Sequence, residues 1–299
     1  MNDILIVGTG ALGSLFAARL AQAGHHVTML GTWKEGIDAI NRNGIQYIDS
    51  NGQQHQFNIH AIDDPRECAG VKYALVLVKA WQTERAASQL KDCLADDGLA
   101  VTLQNGLGNR EALIRSLGTN RVALGVTTTG ATLLGAGSVK AGGEGKISIE
   151  RNQVLGPLET ALQSARFDVQ IVDDALSLIW GKLVINSAIN PLTALLKIPN
   201  GELLQRPSAR EMMGILAGET AQVARAENIS LPFNDPVAAA EDVARRTAAN
   251  HSSMLQDVLR GAPTEIDAIC GAIVEYAQKH QINTPANWAC WKLVGAMAE

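Results

Sequence analysis

Two hydrophobic rhythms divide the chain. Up to about residue 172, short runs of branched apolar residues alternate with helical patterns. ILIV from Ile4 to Val7, HVTML, YALVLVK from Tyr73 to Lys79 and LAVTLQ from Leu99 to Gln104 have the length and branching of buried strands. Between the first two, ALGSLFAARLAQA reads as a helix closed by Gly24 as a C′ glycine. IQYIDSNGQQHQFNIHA predicts a hairpin turned at Asn51-Gly52. VALGVTTT follows as a further strand, then a glycine-rich stretch at residues 135–145 to which no role is assigned, and FDVQIV ends the strand pattern at Val172. Beyond Asp174 the rhythm changes to long amphipathic helices, punctuated by Pro191, Pro199-Asn200-Gly201, Pro232, Pro236, Gly261 and Pro285. Strand–helix alternation followed by helices alone predicts an α/β chain. A doubly wound, mostly parallel sheet covers residues 1–173, and an all-α domain covers 174–299.

Composition agrees with a two-domain globular protein. The 299 residues are 46% hydrophobic and 18% charged, too apolar for a disordered chain. The net charge of −5 and the lack of any Lys/Arg run give no footprint for nucleic acid. The four cysteines, Cys68, Cys93, Cys270 and Cys290, form no C-x-x-C pair, so neither a zinc site nor a disulfide framework is expected and they read as buried or idle thiols. No metal is called for. MNDILIVGTG has no basic leader, and no apolar run reaches the roughly 18 residues of a membrane span, so a cytoplasmic protein without membrane contact is the expectation.

The first chemical motif is GTGALG, Gly8 to Gly13, placed directly after a strand and opening a helix. That context makes the N-terminal domain Rossmann-type. Gly8 serves the tight turn, Gly10 lets backbone approach a pyrophosphate, and Gly13 lets helix pack closely on strand. The helix N-terminus then offers free N–H groups to the phosphates. Thr9, Ala11 and Leu12 complete this cofactor-binding loop. At the end of the second strand, Gly31, Thr32, Trp33 and Lys34 include no acid to hold a ribose 2′-hydroxyl. Thr32 and Lys34 could receive a 2′-phosphate, which points to NADPH (NADP+), with NADH not excluded. Lys34 reads equally well as a solvated loop lysine.

The second motif is WGKLVINSAINP, Trp180 to Pro191. Lys182, Asn186 and Asn190 recur every fourth residue and form one polar stripe on an otherwise apolar helix. Asparagine is a poor helix former, so the stripe reads as the hydrogen-bonding wall of a cleft rather than an ordinary wet face. Asn190-Pro191 is expected to kink or break the helix. A desolvated lysine beside a nicotinamide could hold a carbonyl and protonate its oxygen after hydride transfer. Asn105, in LQNGLGN just past a core strand, is a turn residue or a site residue. In ANHSSMLQDVLRGAPTEID, Asn250 and Ser253 are explained equally by capping of a helix near Ser253, and Glu265 by a first-turn position after Pro263.

Taken together these segments resemble the ketopantoate reductases (2-dehydropantoate 2-reductases). The resemblance runs over nearly the whole chain. It rests on VGTGALGSLFAARLAQAGHHV, VLVKAWQT, LQNGLGN, GVTTTGA, WGKLVINSAINPLTALL, PNGEL and NHSSMLQDVLRGAPTEID. It implies reduction of a small 2-oxoacid, ketopantoate, to pantoate with NADPH, on the route to pantothenate and coenzyme A. It implies Lys182 as catalytic proton donor and Glu265 as the glutamate that orients lysine and substrate. Asn186, Asn190, Asn250 and Ser253 become substrate-binding positions, Asn105 lies between cofactor and substrate, and Lys79 and Gln82 join Gly8, Gly10 and Gly13 as cofactor contacts. The chain departs from the pattern at Gly31-Thr32, where some members carry a basic residue. Three rivals stand beside this reading: a reductase of another 2-oxoacid, a β-hydroxyacid dehydrogenase of the 3-hydroxyisobutyrate type, and a non-catalytic NADP-binding regulator. The Ser253-to-Glu265 block argues against the second, and Lys182 with Glu265 against the third. An exposed helical face could pair two copies as a homodimer, but the sequence does not identify it.

Overall fold

A computed structural model of the protein describes residues 3–297. The described residues divide into two compact units, one of residues 3–104 and 109–175, the other of residues 105–108 and 176–297. The loop carrying Asn105 follows a strand of the first unit in the chain but packs with the second, an assignment that sequence order alone would not make.

The strands are β1 (Asp3–Val7), β2 (His26–Leu30), β3 (Ile45–Ile48), β4 (Gln54–Phe57), β5 (His60–Ile62), β6 (Val71–Val76), β7 (Leu94–Thr102), β8 (Val122–Thr127), β9 (Ala131–Gly135), β10 (Ser138–Ala141), β11 (Lys146–Glu150) and β12 (Asp168–Val172). The first unit also holds α1 (Ala11–Gln22), α2 (Lys34–Asn43), α3 (Thr83–Cys93), α4 (Asn109–Leu117) and α5 (Gly156–Ser164). Its main sheet runs β12-β11-β8-β7-β6-β1-β2-β5, parallel except where β11 meets β8. Both faces of this sheet are covered, which is why its central strands are continuous apolar runs. Ile4 and Ile6 of β1 pack with Leu15, Phe16 and Leu20 of α1, while Leu5 and Val7 pack with Ala86, Ala87 and Leu90 of α3 on the opposite face.

A second sheet, β4-β3-β10-β9, lies on the outer side of α1, so Ile45, Tyr47 and Val139 share a core with that helix. The β3–β4 hairpin turns at residues 49–53, with the Gly52 N–H bonded to the Asp49 carbonyl at 3.0 Å. The glycine-rich stretch, to which the sequence assigned no role, supplies β10 of this sheet and leads into β11 of the other. A Cβ on Gly145 would stand 2.2 Å from the Thr129 nitrogen, so these glycines permit close backbone approach. Arg19 ties the unit together. Its guanidinium stacks 4.0 Å over the Phe167 ring, and its Nε–H donates to the Ala165 carbonyl at 3.0 Å.

The second unit is helical: α6 (Ala175–Leu196), α7 (Glu202–Gln205), α8 (Pro207–Ala226), α9 (Pro236–Arg246), α10 (Ser253–Leu259), α11 (Ala272–Lys279) and α12 (Pro285–Gly295), with a π-helical turn at Asp267–Gly271. No strand lies beyond Val172 among the described residues. No described helix is long and apolar enough to cross a membrane. α6 is its central element. Trp180, Leu183, Val184, Ala188, Ile189 and Leu192 enter the core, and Trp180 meets Tyr276 edge-on at 5.6 Å.

Two local expectations are corrected here. α6 does not break at Asn190-Pro191; it continues through Pro191 to Leu196. An internal proline costs about 3 kcal/mol, chiefly through the lost bond to the carbonyl of residue 187. Burial of a long apolar face on both sides of the proline outweighs that cost. The cap of α10 is neither Asn250 nor Ser253 but Ser252, whose Oγ accepts the Leu255 N–H at 3.1 Å and lies 2.7 Å from Thr193 Oγ1. Ser252 is buried between α10 and α6, where a hydroxyl must find partners.

Candidate active site

The glycine loop has the geometry the motif requires. Gly8 has φ +125°, a conformation that favours glycine. A Cβ on Gly13 would stand 2.0 Å from the Gly8 carbonyl oxygen, so this position must be glycine for α1 to sit on β1. Gly10 is different: its φ is −84° and nothing lies within 4 Å of where its Cβ would be. Protein packing therefore gives no reason for glycine at residue 10. Close approach of a ligand would, and open space at the N-terminus of α1 is what a dinucleotide pyrophosphate requires. Thr9 is buried, and Ala11 and Leu12 open the helix.

At the end of β2, Gly31 is buried beneath Thr9: a Cβ there would stand 2.7 Å from Thr9 Cγ2. A basic side chain at residue 31 is thus blocked unless Thr9 changes. Thr32 and Lys34 are exposed, Lys34 as the first residue of α2. Lys79 precedes the short 3-10 turn Ala80–Gln82 after β6 and Gln82 ends it, both half-buried. Behind them is a polar network that sequence reasoning missed. Gln104 Nε2 donates to the Val78 carbonyl at 2.9 Å and to Thr83 Oγ1 at 2.8 Å, Thr102 Oγ1 donates to Gln104 Oε1 at 3.0 Å, and Thr83 Oγ1 lies 2.8 Å from Asn109 Oδ1. It fixes the loops beyond the carboxyl ends of β6 and β7, where open α/β sheets bind ligands. The one signal for it was the pair of amides in LQNGLGN.

In the second unit, α6 presents Lys182, Asn186 and Asn190 on successive turns, the first two half-buried and Asn190 buried. Asn105 Nδ2 donates to Glu265 Oε2 at 3.1 Å across 160 residues of sequence. That bond depends on backbone fit. Gly106 has φ +80°, and a Cβ there would meet the Ala268 carbonyl oxygen at 2.4 Å; the Leu107 N–H donates to that oxygen at 3.0 Å. Ala268 lies in the π-helical turn, whose widened pitch leaves carbonyls for partners outside the helix. Glu265 precedes this turn rather than standing in a first helical turn, and its carboxyl group is buried.

The Lys182 ammonium is pushed down to about 8 by burial, and the Glu265 charge acts in the opposite direction. Lys182 is half-buried as a residue, and desolvation of its amine is the larger influence on the shift. Asn250 and Ser253 are both exposed. The Ser252–Thr193 contact brings their segment against α6. The Pro199-Asn200-Gly201 turn holds it from behind, with the Asn200 N–H on the Asn250 carbonyl and the Gly201 N–H on the Ala248 carbonyl, both at 3.0 Å. The site therefore offers a titratable cation, a buried carboxylate and several neutral amides. Such a set can grip an oxyacid and move a proton at an oxygen.

A glycine loop shaped for a dinucleotide and a poised lysine–glutamate pair define a nicotinamide-dependent oxidoreductase class. Two family models match in succession: "Ketopantoate reductase PanE/ApbA" over residues 4–153 and its C-terminal domain over residues 174–298. The chain belongs to the ketopantoate reductase family. A 2-dehydropantoate 2-reductase of Halobacterium salinarum is 33% identical, the match covering 94% of each chain. The solved PanE/ApbA family ketopantoate reductase of Ralstonia eutropha superposes with a TM-score of 0.92 at 31% identity, covering 99% of this chain and 98% of the other. A D-mandelate dehydrogenase solved with NADH and anilino(oxo)acetate superposes with a TM-score of 0.93 at 26% identity, with the same coverage.

Proposed function

We propose that this protein reduces 2-dehydropantoate to pantoate, with NADPH as the preferred coenzyme. The observation that carries the reading is the cluster of Asn105, Glu265 and a depressed Lys182 beside the asparagine stripe of α6. Family membership adds the substrate. The bound coenzyme supplies hydride to the C2 carbonyl carbon. Lys182 holds the carbonyl oxygen, stabilises the charge that develops there and gives up its proton to the resulting alkoxide. Glu265 keeps the lysine protonated and placed, and Asn105 fixes the carboxylate. Asn186, Asn190, Asn250 and Ser253 bind the substrate's carboxylate and hydroxyl without adding charge. Gly8, Gly10 and Gly13, with Lys79 and Gln82, hold the coenzyme. Exposed Thr32 and Lys34, with no acid among residues 31–34 at the end of β2, support the 2′-phosphate preference.

The test is NADPH oxidation with 2-dehydropantoate, run beside NADH and a panel of 2-oxoacids. Turnover with 2-dehydropantoate and a higher kcat/KM for NADPH is the expected result. Lys34→Ala should then narrow the gap between the coenzymes. The likeness to D-mandelate dehydrogenase supports a second reading, in which the same machinery takes another 2-oxoacid; turnover of an aryl 2-oxoacid without 2-dehydropantoate activity would establish it. Binding of NADPH with no turnover of any 2-oxoacid would point to a regulator.

Glu265→Gln separates placement from charge. Removing the negative charge takes away the influence that holds the Lys182 ammonium up, so its pKa falls below about 8. The proton donor is then lost at lower pH, and the alkaline limb of the kcat profile should move toward neutrality. An alkaline limb that stays in place would remove Glu265 from this role.

A further inference from the structure

The mechanism uses none of the four cysteines, yet two of them meet. Cys68 ends a 3-10 turn (Pro65–Cys68) before β6, and Cys93 ends α3 before β7. The parallel pairing of β6 with β7 begins at Val71 and Leu94, three residues beyond Cys68 and one beyond Cys93. Between them, the Gly70 N–H donates to the Cys93 carbonyl at 2.8 Å. The backbones of Gly70 and Cys93 are therefore at the spacing of adjacent strands, about 4.8 Å, and Cys68 stands two residues upstream of that contact, where a disulfide needs a Cα separation of about 4.4–6.8 Å. The two thiols lie within reach of each other, and the Cys68 S–H donates to the Pro65 carbonyl at 3.2 Å. Cys93 is buried and Cys68 half-exposed.

We propose that Cys68 and Cys93 are a peroxide-oxidisable dithiol, Cys68 the attacking and Cys93 the resolving thiol, which closes to an intramolecular disulfide at the end of the first unit where β6 and β7 begin. In the first step the Cys68 thiolate attacks one oxygen of hydrogen peroxide. The O–O bond breaks, hydroxide leaves and takes up a proton as water, and Cys68 becomes a sulfenic acid. In the second the Cys93 sulfur attacks the Cys68 sulfur. The S–S bond forms, the S–O bond breaks, and the hydroxyl leaves as water with the Cys93 proton. Two thiols and one peroxide thus become one disulfide and two waters. The order of attack follows from access and from charge. The contact with Cys93 draws the Cys68 thiol below its ordinary value, against Glu67 and Asp64, which push it up; the same contact and burial push Cys93 up. The other two cysteines are an internal contrast. Cys270 and Cys290 are buried in the second unit, their thiols raised by desolvation, Cys290 to about 11.

The test uses the full chain, fully reduced, then exposed to stoichiometric hydrogen peroxide, alkylated under native conditions and digested with trypsin. The expected product is peptide 67–72 linked to peptide 92–110, two hydrogens lighter than their sum. A Cys93→Ser variant should instead hold a sulfenic acid at Cys68 that dimedone traps. A Cys68→Ser variant should leave Cys93 reduced. Recovery of Cys68 as a free, alkylatable thiol after peroxide, or its conversion to sulfinic acid in the unsubstituted chain without cross-linking, would overturn the proposal. Because the readout is covalent, it does not depend on enzyme activity.

Discussion

Lys182→Ala lowers kcat by about 10²- to 10⁴-fold, the range that a positioned general acid contributes, while the dissociation constant for NADPH stays within about twofold. The first half of this expectation follows from the position of the ammonium beside a carboxylate and amides on α6. The second follows because the coenzyme loop belongs to a different compact unit. Stopped-flow fluorescence for coenzyme binding and steady-state rates would measure both. A further signature is the pH dependence of the unsubstituted enzyme. A lysine with a pKa of about 8 is protonated below that value, so kcat for reduction is sustained there and falls as pH rises through 8. In Lys182→Ala that limb should disappear, and added methylamine should restore part of the rate with a pH dependence of its own. Near-normal kcat in Lys182→Ala would end the assignment of this residue as proton donor.

Gly13→Ala and Gly10→Ala differ by one methyl group at two points of one loop, and they fail differently. At Gly13 the new methyl lies 2.0 Å from the Gly8 carbonyl oxygen and 3.4 Å from Ile6 Cγ2. Both are fixed parts of β1 and its turn, so α1 must retreat from the sheet. Overpacking of this kind costs about 1–3 kcal/mol, and the displaced loop loses its grip on the coenzyme as well. Denaturant melts and coenzyme titration should both register the change, with affinity for NADPH reduced at least about tenfold, or roughly 1.4 kcal/mol. At Gly10 the methyl meets no protein atom within 4 Å, and the backbone at φ −84° suits any L residue. Stability should therefore stay within about 0.5 kcal/mol, while coenzyme affinity falls because the methyl occupies space the pyrophosphate needs. Equal stability losses in the two variants would mean that the space at Gly10 is not a ligand's.

Much of this could be read from the chain because the signals are local. The buried strands β1, β2 and β6 each carry a run of branched or large apolar residues, and α1 is bounded by its glycines. The stripe of Lys182, Asn186 and Asn190 needs only helical periodicity to be recognised. The elements that went unread are those whose residues have little side chain to pattern. β10 lies in a glycine-rich stretch, where no alternation marks a strand, and β9 leads into it. Pro191 was misread for a related reason: local propensity opposes a helix there, and only the burial of the rest of α6 decides otherwise. The cap of α10 was misplaced by one or more residues because Ser252, Ser253 and Asn250 have similar local credentials, and the choice fell to the hydroxyl that meets Thr193.

By itself, then, the sequence determined what depends on neighbours a few residues away: the glycine turn, the parallel core strands, the change from α/β to all-α, and which polar residues are out of place on an apolar helix. Tertiary structure alone decided what depends on distant partners. It brought Asn105 to Glu265 through the fit of Gly106 on a π-helical turn, depressed the Lys182 ammonium by desolvation, closed residue 31 with Thr9, and set Cys68 against Cys93. The physical reason is the range of the forces involved. Backbone propensity and periodicity act within a turn or two of chain, whereas desolvation, close packing and side-chain hydrogen bonds are fixed by whichever residues the fold makes neighbours.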